Sequence, residues 1–294
     1  MTISFSLGRK SPANMAVAAF GVTEEGLQDP TCRTDLTTDL EALGFTAKVG
    51  QVQLLPQDKQ IVAAVGLGSS EKLDASELRS AAAALARATT KHKSVSCDLA
   101  HISNLPTGTA TRAVVEGLGL ASYEFGYKSK KSEMKLNKVV LTGSTSASNQ
   151  KALDEATAVL DAVMLARDLV NEPGGSLTPA KFANKVSRMA KEKGLTVKVM
   201  DEAAIKRARL GGLLGVNRGS THPPRFVELT YTPKGKAKGT LAFVGKGITF
   251  DAGGLSIKPA QGMMDMKMDM GGAAAVVAAM SALPVLAPKC KVKG

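Results

Sequence analysis

Residues 245–259, Gly-Lys-Gly-Ile-Thr-Phe-Asp-Ala-Gly-Gly-Leu-Ser-Ile-Lys-Pro, set a lysine between two glycines directly after the apolar run Leu241-Ala242-Phe243-Val244. The run predicts a strand over 240–244 that delivers Gly245-Lys246-Gly247 to its carboxyl end, where open α/β sheets keep their sites. Asp251 follows in Asp251-Ala252-Gly253-Gly254, a tight bend whose glycines let the backbone approach whatever the carboxylate holds. Downstream, Met264-Asp265-Met266-Lys267-Met268-Asp269-Met270 brings two more carboxylates just ahead of Gly271-Gly272 and a small-residue helix predicted over 273–283. Carboxylates grouped in this way suit hard or borderline divalent cations. A lysine joins them only as a neutral amine, a state that a metal at bonding distance enforces by competing with the proton. Plainer readings also hold: Lys246 as a solvated cation, Asp251 as a turn residue, Asp265 and Asp269 as an exposed helical pair, the methionines as core filler.

Around this stretch the second half of the chain alternates helices and strands. A helix is predicted over 149–170 from the period of Leu153, Ala156, Val159, Leu160 and Val163, with Asn171-Glu172-Pro173 ending it. Thr178-Pro179 opens another helix, followed by a strand over 196–200, a helix over 201–208 and a strand over 226–231. The first half alternates too: strands over 15–22, 60–66, 94–100 and 138–142, helices over 75–89 and 111–123. The fold class is therefore α/β, with an N-terminal α/β domain of mostly parallel sheet over 1–148 and a second α/β domain over 149–294. Val65-Gly66-Leu67-Gly68-Ser69-Ser70 ends a strand before a helix, but a Gly-x-Gly without a third glycine reads better as a turn than as a phosphate cradle.

With 44% hydrophobic and 22% charged residues the 294-residue chain reads as globular. Its 38 Lys and Arg against 26 Asp and Glu give a net +12, which raises the question of nucleic acid. The charge is dispersed. The densest cluster, Lys128, Lys130, Lys131, Lys135 and Lys138 after Tyr123, Phe125 and Tyr127, is either a backbone-binding patch with stacking rings or a solvated loop. Cys32, Cys97 and Cys290 are odd in number and far apart, which suits reduced thiols in a cytoplasmic protein. No membrane partner is expected, because the longest apolar run near the N-terminus, over 15–22, is too short to span a bilayer and no signal-peptide order of segments occurs.

The stretch 244–276, VGKGITFDAGGLSIKPAQGMMDMKMDMGGAAAV, resembles the metal-binding core of the leucyl aminopeptidase family, the two-metal cytosolic aminopeptidases. The resemblance extends to Val170-Asn171-Glu172-Pro173, to Gly211-Gly212-Leu213-Leu214-Gly215-Val216, and to Pro224-Arg225 before a strand ending in Tyr231. It is weaker in the first half, at Val65-Gly66-Leu67-Gly68 and Glu116-Gly117-Leu118. By position it implies that Lys246, Asp251 and Asp269 are metal ligands. Asp251 would bridge two divalent ions, usually zinc, manganese or magnesium. Lys258 would be the catalytic lysine that polarises the scissile carbonyl, and Met266 would line the pocket for an apolar first side chain. The implied reaction removes N-terminal residues from peptides by two-metal hydrolysis, in a homo-oligomer that in the family is a hexamer.

The family's second half-site, an Asn-Thr-Asp-Ala-Glu-Gly-Arg segment, does not occur in the 294 residues. The first ion would keep three ligands and the second only Asp251. The resemblance therefore implies a C-terminally truncated, impaired or inactive aminopeptidase, with an open sheet edge and an uncovered apolar face. The alternatives are a non-catalytic DNA-binding relative and a subunit that joins hexamers without a full site of its own.

Overall fold

The computed structural model describes residues 3–29, 39–57, 60–127, 129 and 133–294. They form two compact units, Met1–Leu160 and Asp161–Gly294. The division falls inside a helix rather than at its start near 149. Leu153, Ala156 and Leu160 on the early turns are buried, and Leu160 packs against Gly119, where a Cβ would lie 2.6 Å from Leu160 Cδ1. The first three turns therefore belong to the N-terminal core.

The first unit is a six-stranded sheet in the order β1-β6-β5-β2-β4-β3, made of β1 (Ser4–Gly8), β2 (Val17–Val22), β3 (Val52–Gln57), β4 (Gln60–Gly66), β5 (Ser94–Cys97) and β6 (Lys138–Thr142). All neighbours are parallel except β3, which runs antiparallel to β4. The predicted strand over 94–100 is shorter because Asp98 turns the chain into α3 (Leu99–Ile102). Sequence periodicity missed β1 and β3. Both are edge strands of mostly exposed or half-buried residues, so neither carries the apolar run of an inner strand. Helix α1 (Glu24–Gln28) follows β2. Helices α2 (Ala75–Ala88) and α4 (Thr107–Ala121) pack closely through small residues, since a Cβ on Gly117 would sit 2.7 Å from Ala82 Cβ. A capping box of Asp74 and Glu77 starts α2, and Arg79 Nε donates to Glu116 Oε2 at 2.8 Å across the pair.

The Gly-x-Gly after β4 is a packed turn. Gly66 N–H donates to Gln51 O at 2.8 Å, Gly68 has φ +72°, and a Cβ on Gly66 would meet the backbone of Ala47. Its exposed donors already face an anion, because Glu25 accepts from Ser70 N–H at 3.0 Å and Ser69 Oγ at 2.7 Å. Those bonds, the Ser70 amide first, hold the Glu25 carboxyl at about 2. A depressed folded pKa contributes stability above the ordinary value of 4.5 and loses it as pH falls toward 2. Thermal melts taken between those limits should fall less steeply for Glu25→Gln than for the parent; identical slopes would refute the assignment.

Of the cysteines, Cys97 is buried and its thiol is pushed up to about 12 by burial, so it stays protonated and inert; Cys290 is half-buried. Cys32 lies outside the described residues, as do Lys128, Lys130 and Lys131 of the basic cluster. The described part includes Phe125 and Tyr127, whose rings stack at 5.6 Å with 4° between their planes.

The second unit is a mixed four-stranded sheet, β7-β8-β10-β9. Its strands are β7 (Thr196–Met200), β8 (Phe226–Tyr231), β9 (Thr240–Ala242) and β10 (Lys291–Lys293). β10 pairs antiparallel with β8 and parallel with β9. Helix α5 (Ala147–Asn171) leads in from the first unit, and α6 (Pro179–Glu192), capped by Thr178, α7 (Glu202–Arg207), α8 (Gly211–Asn217), α9 (Ala260–Met263) and α10 (Gly271–Leu286) follow. Phe182, Val186 and Met189 of α6 share one core with Leu229, Tyr231, Ala274, Val277, Met280 and Val292. Residues 260–286 have the length and mean hydropathy, 1.6, of a membrane span, yet Met270, Ala274 and Met280 are fully buried in that core.

Helix α10 ends on Ala287 with φ +46° and ψ +53°, its N–H donating to Leu283 O. Left-handed backbone costs an L-residue about 1–2 kcal/mol and glycine almost nothing. Ala287→Gly should therefore raise the stability of the second unit by about 1 kcal/mol in urea unfolding, after glycine's unfolded-state entropy is subtracted; a loss would contradict the strain.

Candidate functional site

β9 ends at Ala242, two residues before the predicted limit, and residues 243–259 run as irregular chain across the first turn of α10. Two glycines allow that crossing. A Cβ on Gly245 would press on the Gly272 carbonyl and lie 2.7 Å from Ala273 Cα, and one on Gly272 would lie 3.0 Å from Lys246 N. With no side chain at either place the backbones touch, and Ala273 N–H donates to Lys246 O at 2.8 Å.

That contact places Lys246 over the segment before α10. Its Nζ lies 2.8 Å from Asp269 Oδ2, the carboxylate being the more buried partner. The two form an ion pair in which the Asp269 carboxylate is largely shielded from water. The Asp269 carboxylate, aided by Asp251, raises the Lys246 pKa. Without a metal Lys246 is thus an ammonium, and an arriving ion must take the place of its proton.

Asp251 does what its plainer reading expects and something more. Oδ1 accepts from Gly253 N–H at 2.8 Å, closing the bend, while Oδ2 lies 3.6 Å from Lys258 Nζ. The Gly253 amide first, then Lys258 and Lys246, hold its carboxyl below the ordinary range, so it is ionised. Gly253 has φ +95°, and a Cβ there would lie 3.0 Å from Lys258 N. The second lysine is thereby folded back toward the first carboxylate.

Met266 and Asp265 lie in a 3-10 turn (Met264–Met268) where Met266 is half-buried and Asp265 exposed. This is no exposed helical pair: Asp269 turns inward and Asp265 outward. The residue that sequence reasoning missed is Lys267. Its Nζ donates to Val170 O at 3.1 Å and Asn171 O at 3.3 Å, carbonyls at the end of α5. It pins the 3-10 turn, and with it Asp269, through a C-terminal cap that only the tertiary structure shows.

The donors fit a divalent cation in kind, as two carboxylates with an amine 2.8 Å from one of them. Among the described residues no cluster of three His, Cys, Asp or Glu side chains could hold an ion alone, so Lys246 is needed as the third donor. Around them β9 is an edge strand, with Leu241, Phe243, Val244, Leu255 and Ile257 exposed.

Residues 164–294 match the model of the cytosol aminopeptidase family catalytic domain, and residues 22–131 that of the family's N-terminal domain. The chain belongs to the cytosol aminopeptidase family. Among its relatives, a probable cytosol aminopeptidase of Rhodococcus jostii is 40% identical over 266 residues, 86% of this chain and 51% of that protein. One of Corynebacterium diphtheriae is 38% identical over 96% of this chain and 55% of its own length. The bottromycin maturation enzyme BotP, solved in complex with Mn, superposes with a TM-score of 0.82 at 38% identity, covering 95% of this chain and 58% of that one. A mutant of tomato leucine aminopeptidase superposes at 0.81 with 29% identity, covering 99% and 61%. This cytosol aminopeptidase family member thus spans about half the length of the curated relatives it matches.

Proposed function

We propose that Lys246, Asp251, Lys258 and Asp269 form one half of a two-ion aminopeptidase centre that removes N-terminal residues, apolar ones by preference, from peptides. The observation that carries this is the pairing of Lys246 with Asp269 at 2.8 Å and of Lys258 with Asp251 at 3.6 Å, in a chain of this family. Lys246, Asp251 and Asp269 would hold the ions, manganese, zinc or magnesium. When bound, such ions polarise a carbonyl and supply a nucleophile at neutral pH.

The remaining work falls to the chain. Asp251 is oriented by the Gly253 amide, with its second oxygen turned toward Lys258. Lys258 would donate to the scissile carbonyl oxygen as negative charge grows there. Met266 lines the place of the first side chain. Three donors fall short of what two ions need, so the 294-residue chain by itself binds metal weakly and turns over little or nothing.

Isothermal titration with manganese, paired with hydrolysis of leucine p-nitroanilide with and without chelator, tests both parts. Weak saturable binding that Asp251→Asn abolishes, without chelator-sensitive turnover, is expected. No manganese binding would remove the metal centre, and brisk chelator-sensitive turnover would remove the incomplete one. Peptide substrates, homo-oligomers up to the hexamer and a cytoplasmic location belong to the same proposal; light scattering of the chain tests the assembly.

A further inference from the structure

The first unit has a cavity of about 510 Å³ that the aminopeptidase reading leaves unused. Its place follows from topology. β2 has β4 on one side and β5 on the other, and the chain completes the β3-β4 side before crossing to β5 and β6. The sheet therefore changes direction of winding between β2 and β5, and in open parallel sheets small molecules bind at such a point, in the crevice outside the carboxyl ends of the strands. The cavity is lined by Ala18 and Phe20 of β2 and Ser96 of β5, and its rim is formed where β1 and β6 end side by side, at Gly8 paired with Thr142.

Its chemistry is uneven. Arg9, Lys10 and His101 line it against a single carboxylate, Asp98, and Oδ1 of that group already accepts from Gly21 N–H at 3.0 Å. Neither Arg9 nor Lys10 forms an ion pair with a described residue, and both are exposed, so their charges are unspent. Hydroxyls of Ser11, Thr142 and Ser144 stand among them. Ser11 Oγ is 2.6 Å from the buried Ser96 Oγ, which ties the loop after β1 to the sheet. The far wall is equally constrained: Gly143 has φ +124°, and a Cβ there would lie 2.7 Å from Cβ and Cγ of His101. The missing side chain lets the imidazole stand in the cavity wall. The floor, by contrast, is apolar, with Ala18, Ala19 and the buried Phe20.

An apolar floor of this size under a cationic, hydroxyl-bearing rim suits a ligand with an uncharged body and one concentrated negative group. We infer that the first unit binds a small organic phosphate there, its phosphate held by Arg9, Lys10 and the hydroxyls and its body resting on Phe20. Arg and Lys beside hydroxyl donors match a phosphate dianion by charge-assisted bonds. None of the metal-centre residues takes part, so the inference stands or falls independently of the aminopeptidase reading.

The test is calorimetry of the full chain at low ionic strength with adenosine monophosphate, adenosine and inorganic phosphate. The mononucleotide is expected to bind saturably and more tightly than either fragment, and Arg9→Ala with Lys10→Ala to weaken it at least about tenfold. Both residues are exposed, so that variant keeps the fold, and an unchanged melting curve verifies it. Gly143→Ala, which displaces His101, should weaken binding as well. No saturable mononucleotide binding at millimolar concentration, binding that the double variant leaves unchanged, or equal affinity for adenosine or for phosphate alone would overturn the inference.

Discussion

Gly245→Ala is expected to destabilise the second unit by about 3 kcal/mol, the upper end of what an added methyl costs in a packed site. The new Cβ would meet Gly272 C at 2.6 Å and Ala273 Cα at 2.7 Å. Both are backbone atoms in the first turn of α10, and no rotamer change can move them. Ala273 N–H is bonded to Lys246 O, Ala274 N–H to Met270 O at 2.9 Å, and Met270 and Ala274 are fully buried. Either the helix start or the loop must give way, and when the loop moves Lys246 leaves Asp269. Hydrogen exchange read by mass spectrometry should quicken in peptides covering 240–250 and 270–285 while those of the first unit keep their rates. Gly254→Ala is the control, since φ there is +75° but nothing stands within 4 Å, leaving only left-handed strain of about 1 kcal/mol. Equal effects at the two glycines would show that the backbone contact is not what holds the site.

Asp269→Asn should separate metal binding from stability. The amide keeps the shape and loses the charge, so manganese affinity is expected to fall by ~100-fold or more, beyond what loss of a supporting group costs. The melting temperature should barely move. Lys246 loses its counter-ion, but its side chain is 56% exposed and water replaces the pair. Binding of manganese followed by the signal of the free ion checks the first part and calorimetric melting the second. Undiminished affinity would leave Asp269 as a structural partner of Lys246 and nothing more. Lys246→Met, by the same measurement, should resemble Asp269→Asn if amine and carboxylate serve one ion.

The strands that periodicity predicts best are those whose apolar runs are local and strong: β4, β6, β7 and β8 match their predicted limits. β1 and β3 escape because edge strands need pack only one side, and the helix over residues 147–171 divides between two cores that no local pattern distinguishes. For the proposed site, the motif named Lys246, Asp251, Lys258 and Asp269 as candidates, and the bend at Asp251 was legible from Ala-Gly-Gly. The roles of Lys267 and Glu25 were not. Each acts on backbone groups distant in the chain, the carbonyls of Val170 and Asn171 and the amide of Ser70, and a long-range partner leaves no mark on the sequence nearby.

What the sequence determined by itself is the order of α/β elements, the family, and the set of charged residues available to one site, because side-chain period, turn chemistry and motif spacing act over a few residues. Which of those charges meet was decided by the tertiary structure. Lys246 faces Asp269 because two positions without a Cβ, Gly245 and Gly272, let the loop after β9 lie against the first turn of α10. Lys258 faces Asp251 because Gly253 folds the chain back at a positive φ. Backbone contacts made possible by missing side chains thus gave two similar lysines different partners.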